Sequence, residues 1–410
     1  WSSDVCSSDL YKEIRRLEML VFKQLNNINA QRYLYTSTIR LSQFYGIELD
    51  DFAHEVAILS LWLAEHQMNV EFKKEFGHTK PTLPLQSSGE IVIGNATRLN
   101  WEEVCPKQEG HEIYILGNPP YLGARLLDVN QKEDMNFVFK GSSIKSNDLD
   151  YIACWFYSGA NYIKNSNAKV AFVSTNSICQ GSQVDALWSH IVDDKVEIAF
   201  AYQSFKWSNS AKAKAAVICV IVGLRNKNND PKFIFNNKLR LKVKNVSPYL
   251  VEGDNVFISG RSKPVSMLPP MSFGNMPNDG GHLLLNQEEY NAIITAHPKS
   301  NMFIRKYLGS REFINDIPRW CIWINKENFN VAIRLPEIEE RICKVEKHRL
   351  NSEREATRNL ANVPYRFAEV RHRNTNAIIV PRASSIRRKY IPIGFLSSED
   401  RKSTRLNSSH

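Results

Sequence analysis

The sequence predicts an α/β fold, a doubly wound and mostly parallel sheet, followed by an α+β domain. Short apolar strands alternate with helices whose apolar residues recur every three or four positions from Tyr11 to about Val222. That alternation stops near Asn229. Proline, glycine and asparagine then gather between Pro264 and Gly281, which is loop chemistry, before one amphipathic helix and short strands resume.

Taken in order, residues 11–29 carry Ile14, Leu17, Leu20, Val21 and Leu25 at helical spacing. The short apolar run 44–47, ending in Glu48, reads as a buried strand. Asp50 or Asp51 can cap a helix over 52–69 by accepting from its free N–H groups, and the apolar stripe of that helix runs Val56, Leu59, Leu63. Strands are expected at 91–94 and 113–116, a helix at 149–163, a strand at 170–174, a helix near 183–191, and strands at 196–202 and 215–222. In the second half Pro336 opens a helix with Ile338, Ile342 and Val345 on one face. Short strands are expected at 320–324, 377–380 and 390–395.

These elements divide the chain into a first domain over 11–228, a connector over 229–285 and a second domain over 286–399. The ends, 1–10 and 400–410, are expected to be an adapter artefact. Written as codons, residues 1–10 are the reverse complement of a stretch that encodes residues 400–408 in another frame. Two unrelated protein ends have no physical reason for that relation, so both are set outside the expected fold.

An apolar content of 43% and a charged content of 23% are those of a soluble globular protein. The formal charge of +10 suits a polyanionic partner, because neutralised phosphates supply most non-specific nucleic-acid affinity. The cysteines are isolated, with no CxxC pair, so no metal site or disulfide framework is expected and a reducing cytoplasm fits. No apolar run reaches membrane-spanning length, so no membrane partner is expected. The sequence says nothing of oligomeric state.

In a doubly wound sheet, ligands sit at the carboxyl ends of the strands. After the strand at 113–116 comes Gly117-Asn118-Pro119-Pro120-Tyr121. Two successive prolines fix φ twice and remove two backbone donors, which makes a rigid corner presenting free carbonyls. An amino group conjugated to a base ring is a poor nucleophile, because its lone pair is delocalised. Two acceptors aimed at its hydrogens, the Asn118 side-chain oxygen and the Pro119 carbonyl, would localise that pair for attack on a methyl group. Tyr121 offers a stacking face for a base turned out of a duplex. The same residues also make an ordinary tight turn, so the flanking strand ends matter. Glu48 stands at a strand tip, where a carboxylate grips ribose hydroxyls in nucleotide-binding folds. Asn95 and Ala96 end the next strand and are placed to meet the edge of an adenine ring. Phe205 and Trp207 flank a later strand end, where core packing or base contact fits an aromatic pair.

The run Phe44-Tyr45-Gly46-Ile47-Glu48-Leu49-Asp50, with Ala57-Ile58-Leu59-Ser60-Leu61-Trp62-Leu63 and His66-Gln67-Met68-Asn69, resembles the MmeI-like adenine methyltransferases of type II restriction–modification systems. So do Gly117 to Tyr121, Val173-Ser174-Thr175-Asn176-Ser177-Ile178 with Gln180-Gly181-Ser182-Gln183, and Phe205-Lys206-Trp207-Ser208-Asn209 leading to Lys214-Ala215-Ala216-Val217. The similarity covers nearly all of 11–399 in family order. It implies a class I, Rossmann-like methyltransferase domain with S-adenosyl-L-methionine (AdoMet) as cofactor and double-stranded DNA as partner, in a bacterial or archaeal cytoplasm. It further implies AdoMet contact for Glu48, Asn95 and Ala96, catalysis at Asn118, Pro119, Pro120 and Tyr121, and target-base contact for Phe205 and Trp207. The wider superfamily usually carries Asp at the position of Asn95. Its glycine-rich loop for the methionine end of AdoMet is expected ahead of Tyr11, so the chain by itself is expected to be inactive.

Basic residues outnumber acidic ones across 300–399, and Arg366, Arg371, Arg373, Arg382, Arg387, Arg388 and Lys389 concentrate near the end, among Tyr365, Phe367 and Tyr390. A solvated basic surface accounts for such a run. Its place after a methyltransferase domain matches the target-recognition domain of the resembled family, and DNA contact is the expectation. Other readings stay open: methylation of a protein glutamine, whose enzymes also use Asn-Pro-Pro-Tyr but lack a large basic second domain; a DNA-binding module without catalysis; and cytosine as the amino acceptor.

Overall fold

A computed structural model describes residues 4–28, 34–79, 90–207, 217–236, 239–261, 263, 265–267, 271–382, 384–385, 388–403 and 406–409. The chain divides into two compact units, Trp1–Gly260 and Arg261–His410.

The first unit runs α1 (Asp4–Ile28), β1 (Tyr45–Glu48), α2 (Asp51–Phe76), β2 (Glu90–Ile93), α3 (Trp101–Val104), β3 (Ile113–Gly117), α4 (Val129–Val138), α5 (Ala153–Ile163), β4 (Ala168–Thr175), β5 (Val196–Trp207), β6 (Val217–Asn226), β7 (Lys232–Asn236) and β8 (Leu239–Val243). β1 and β2 pair in parallel, with Glu48 opposite Ile93. The other six strands form one sheet in the order β3-β4-β6-β5-β7-β8. β3, β4, β5 and β7 run one way, with β6 and β8 against them. The sheet is mixed rather than mostly parallel: four of its six strands point one way, but β6 lies antiparallel between β4 and β5 and β8 antiparallel beside β7, and the carboxyl ends of β3, β4 and β5 share one edge with the start of β6. Phe156, Ala160 and Ile163 of α5 bury against Val170, Phe172, Val220 and Val222 of the sheet. Each fully buried side chain of this size contributes roughly 1.5–3 kcal/mol.

A second core joins α1 and α2 through Tyr11, Met19, Ala57, Leu61, Ala64, Met68 and Phe72. The stripes expected to be buried, Leu17, Leu20, Val21 and Leu25 on α1 and Leu59 and Leu63 on α2, are exposed instead. Both helices are apolar on two faces, and periodicity finds a stripe without saying which one meets a partner. Asp50 caps α2 by accepting from the Ala53 N–H at 3.0 Å. The helix outruns its expected end to Phe76, where Gly77 takes φ of 80° and closes it.

Further differences follow along the chain. The 149–152 stretch is turned, so α5 starts at Ala153, and the helix expected near 183–191 is one π turn, Val184–Trp188. β7 and β8 lengthen the sheet inside the expected connector, carrying the unit past 228 to Gly260. Their alternation (Phe233 and Phe235, Leu239 and Leu241) is obscured by the lysines and asparagines around it. The described structure also extends beyond 11–399: Ser8 is buried in α1, and β15 (Arg401–Lys402) and β16 (Leu406–Ser409) pair with strands of the second unit. β15 adds to the open edge of its sheet, whereas β16 lies between β13 and β9.

The second unit runs β9 (Ser272–Phe273), β10 (Leu284–Leu285), α6 (Gln287–Ala296), β11 (Ile304–Leu308), α7 (Ser310–Asn315), β12 (Trp320–Ile322), α8 (Phe329–Ala332), α9 (Pro336–Leu350), α10 (Glu355–Asn359), β13 (Ala377–Pro381), β14 (Gly394–Leu396), β15 and β16. Its sheets are β10-β12-β11-β15 and β14-β13-β16-β9. α9 buries Ile338, Ile342 and Val345, the face read from its spacing. Its last turn also buries Arg349 completely. That guanidinium donates to the carbonyls of Pro277, Asn278, Leu360, Val363 and Arg366 at 2.7–3.0 Å, closing three irregular segments on one side chain. Arg349→Met keeps most of the volume and strands those carbonyls, so urea unfolding is expected to show the second unit destabilised by about 3 kcal/mol or more. A loss below about 1 kcal/mol would show that water satisfies them.

Candidate active site

β3 ends at Gly117, and the chain turns through residues 118–121 without regular structure. Pro119 is buried and Pro120 exposed, while Asn118 and Tyr121 are half-buried. The Asn118 Oδ1 is buried and has no hydrogen-bond partner among the described residues. Leaving such an oxygen unpaired costs about 1–3 kcal/mol, so it stands as an acceptor for a donor from outside the chain. Tyr121 packs on the main core. Burial, and then its hydrogen bond with the Cys219 thiol, pushes its hydroxyl up to about 12, so it stays a neutral phenol at ordinary pH.

Cys219 of β6 lies opposite Thr175 of β4 on one side and Phe205 of β5 on the other. Tyr121, Thr175 and Phe205 are therefore gathered around one point of the sheet edge, with Asn118 on the same edge. A register break between Tyr202 and Phe205 bends the end of β5 there. Trp207 pairs through its backbone with Val217; its side chain, and residues 208–216, lie outside the described residues.

On β1 and β2, parallel pairing brings Glu48 and Asn95 together. The Gly94 N–H donates to the Glu48 carbonyl at 2.7 Å, and the Glu48 side chain is half-buried. Asn95 is more committed than its strand-end position suggests. Its Oδ1 accepts from the Thr97 N–H at 2.9 Å and the Thr97 hydroxyl at 2.7 Å, which uses both lone pairs. Its Nδ2 donates to Asp134 at 2.9 Å. The Ala96 carbonyl accepts from the Trp101 indole at 2.8 Å, and Trp101 meets Phe172 of β4 edge to face.

Asp134 on α4 is buried and is a residue that spacing did not reveal. Burial works to raise its carboxyl, but hydrogen bonds from Tyr151, Asn95 and Arg98 and the Arg98 charge outweigh it and hold it below the usual range. Arg98 Nε lies 2.6 Å from Asp134, with the guanidinium over the Phe137 ring at 4.8 Å.

In the second unit, the structure joins two of the expected DNA-facing arginines. Arg371 and Arg382 lie over the exposed Phe273 ring at 5.8 and 5.5 Å. Arg371 also pairs with Glu369 at 2.6 Å. Burial, and then the charges of Arg373 and Arg371, pushes Lys402 down to about 8. Arg366, Arg373 and Arg388 are exposed, and Lys389 lies over exposed Tyr390 at 5.5 Å. Arg387 lies outside the described residues. Of the interleaved aromatics, Phe367 is buried and Tyr365 packs on Phe329, so both belong to the core.

Among the described residues no helix is long and apolar enough to cross a membrane, and no group of three or more His, Cys, Asp or Glu could hold a metal ion. Residues 9–236 match the family described as MmeI, DNA-methyltransferase domain, and residues 252–407 match MmeI, target recognition domain. The chain is similar to DNA methyltransferase A of Bacillus subtilis (strain 168), at 47% identity over 393 residues, covering 95% of this chain and 44% of that protein. It is also similar to the solved type IIL restriction-modification enzyme MmeI in complex with DNA, with a TM-score of 0.81 and 37% identity. That match covers 98% of this chain and 55% of the other, so the chain spans about half the length of these relatives.

Proposed function

This chain belongs to the MmeI family of DNA-methyltransferase and target-recognition domains, and from that premise we propose that it serves methyl transfer from AdoMet to the exocyclic amino group of adenine in duplex DNA. The observation that carries the reading is the buried, unpartnered Oδ1 of Asn118 at the end of β3. Beside it the Tyr121 ring is fixed through its hydroxyl, and Phe205 lies across Cys219 from it, so a flat base has a ring to stack on.

The Asn118 Oδ1 and the Pro119 carbonyl accept from the two amino hydrogens. That draws the nitrogen lone pair out of conjugation and stabilises the positive charge that develops on the nitrogen. The lone pair would form the new N–C bond as the S–CH3 bond of the donor breaks, its electron pair staying on sulfur as a neutral thioether, and one amino proton would leave to water. When bound, AdoMet supplies the electrophilic methyl on its sulfonium. Glu48 fits its ribose hydroxyls. The Asn95 side-chain oxygen, with both lone pairs used, does not fit the adenine amino group, which leaves the second Asn95 amide hydrogen and the backbone of this turn for the ring edge. Adenine rather than cytosine rests on the family resemblance, as do a restriction–modification setting and a cytoplasmic location.

In the complete reading frame, Asn118→Ala and Tyr121→Ala are expected to lower methyl transfer by about 10²–10³ without weakening AdoMet binding. Labelled-methyl incorporation near the wild-type rate by the Asn118 variant would sink the assignment.

The basic surface of the second unit supports duplex recognition there. Charge reversal at Arg371 or Arg382, if either holds phosphate, weakens all sequences together and lowers the salt-dependence slope by about one. An arginine that reads a base instead relaxes one position of the methylated site, at about 1–3 kcal/mol. Unchanged affinity, salt slope and methylated sequence in both variants would mean that this face is only solvated.

A further inference from the structure

Two buried residues just ahead of α5, Asp150 and Tyr151, have no part in the reading above. The Asp150 carboxylate accepts from the Ser177 hydroxyl and, at 3.4 Å, from the Thr175 hydroxyl, both at the end of β4. The Asp150 N–H donates to Gln183 Oε1 at 3.1 Å, and its other carboxylate oxygen faces Gly123, 3.7 Å from where a Cβ would stand. The Tyr151 N–H donates to the Leu122 carbonyl at 2.9 Å, directly after Tyr121. The Tyr151 hydroxyl donates at 2.6 Å to the Asp134 oxygen that also takes the Asn95 amide. Two adjacent residues thus tie together the turns that follow β2, β3 and β4. Burying a carboxylate and a phenol is costly unless each is paired; here the Asp150 pairings run to the turn after β4 and the segment that follows it, and the Tyr151 hydroxyl reaches the turn after β2 through Asp134 of α4.

We propose that Asp150 and Tyr151 are positioning residues that set the spacing between methyl donor and acceptor base. Asp150 fixes the base side by holding the Thr175 and Ser177 hydroxyls beside the Asn118 corner. Tyr151 fixes the cofactor side through Asp134 and Asn95, while its backbone holds Leu122. The inference rests on the methyl-transfer reading, and it makes the two side chains separable in kinetics although they are neighbours in sequence. Displacing a reacting group by about 1 Å from a remote change can cost about 10²-fold in rate.

The test uses Asp150→Asn and Tyr151→Phe in the complete reading frame, with AdoMet affinity by calorimetry, single-turnover methylation of a duplex at saturating AdoMet, and Tm. Asp150→Asn is expected to lower the single-turnover rate about 10²-fold with AdoMet affinity unchanged. Tyr151→Phe is expected to weaken AdoMet binding about tenfold and to keep the saturated rate within about threefold. A Thr175→Ala, Ser177→Ala double variant, which leaves the Asp150 backbone untouched, should reproduce the Asp150→Asn rate defect. If rate, affinity and Tm fall together in both variants, or if neither variant differs from wild type, the inference is overturned. Absence of methyl transfer by the unaltered protein overturns the parent reading as well, whereas transfer without the split overturns this inference alone.

Discussion

β3, β4 and β5 run in the same direction, and parallel strands cannot be joined by a tight hairpin, so the chain must cross back from β3 to β4 and from β4 to β5, while β6 pairs antiparallel with β5 directly after it. Every exit from these strands falls on one edge. The Asn118 corner, the Thr175 turn and the aromatic end of β5 are neighbours for that reason, although long stretches of chain separate them. β6, antiparallel between β4 and β5, interlocks them: its Cys219 lies opposite Thr175 on one side and Phe205 on the other and hydrogen-bonds with the Tyr121 hydroxyl. The parallel β1 and β2 apply the same constraint to Glu48 and Asn95, and Trp101 and Asp134 bring that pair to the main sheet.

Within this frame, polar groups are treated in two opposite ways. Asp134, Asp150 and Tyr151 are buried with their hydrogen bonds made, which rigidifies the turns they join. The Asn118 oxygen is buried with its hydrogen bond unmade. Other buried side-chain atoms without a hydrogen bond occur among the described residues, Asn26 Oδ1 among them, but that of Asn118 lies in a double-proline turn at the carboxyl end of β3, which sets it apart from a turn-forming asparagine. The double proline contributes by removing donors that would otherwise compete for nearby acceptors.

The parts legible in the sequence are those whose chemistry is local. Two prolines behind an asparagine define the corner at Asn118 wherever it is placed, and Glu48 is read from its position at a strand tip. The parts that stayed hidden depend on partners far along the chain: Asp134 meets Asn95 across 39 residues, and Asp150 meets Ser177 across 27. An acid before an apolar helix reads as a cap, and nothing in its surroundings shows that it serves another turn. The same limit explains α2, where Leu59 and Leu63 make as good a stripe as Leu61 and Met68 until α1 chooses between them. Arg349 reads as a basic residue in the last turn of a helix, a favourable exposed position, and only the fold turns it inward. Tyr365 and Phe367 err in the other direction, as aromatics in a basic run that belong to a core.

The claim on which the account stands is that the Asn118 corner presents acceptors to an amino group of a DNA base. Mass spectrometry of nucleosides from DNA of cells expressing the complete reading frame, against cells expressing its Asn118→Ala variant, tests this most directly. The account predicts N6-methyladenine in the first and none above background in the second. N4-methylcytosine would contradict the adenine assignment, and DNA without any methylated base, alongside a methylated protein glutamine, would contradict the account itself.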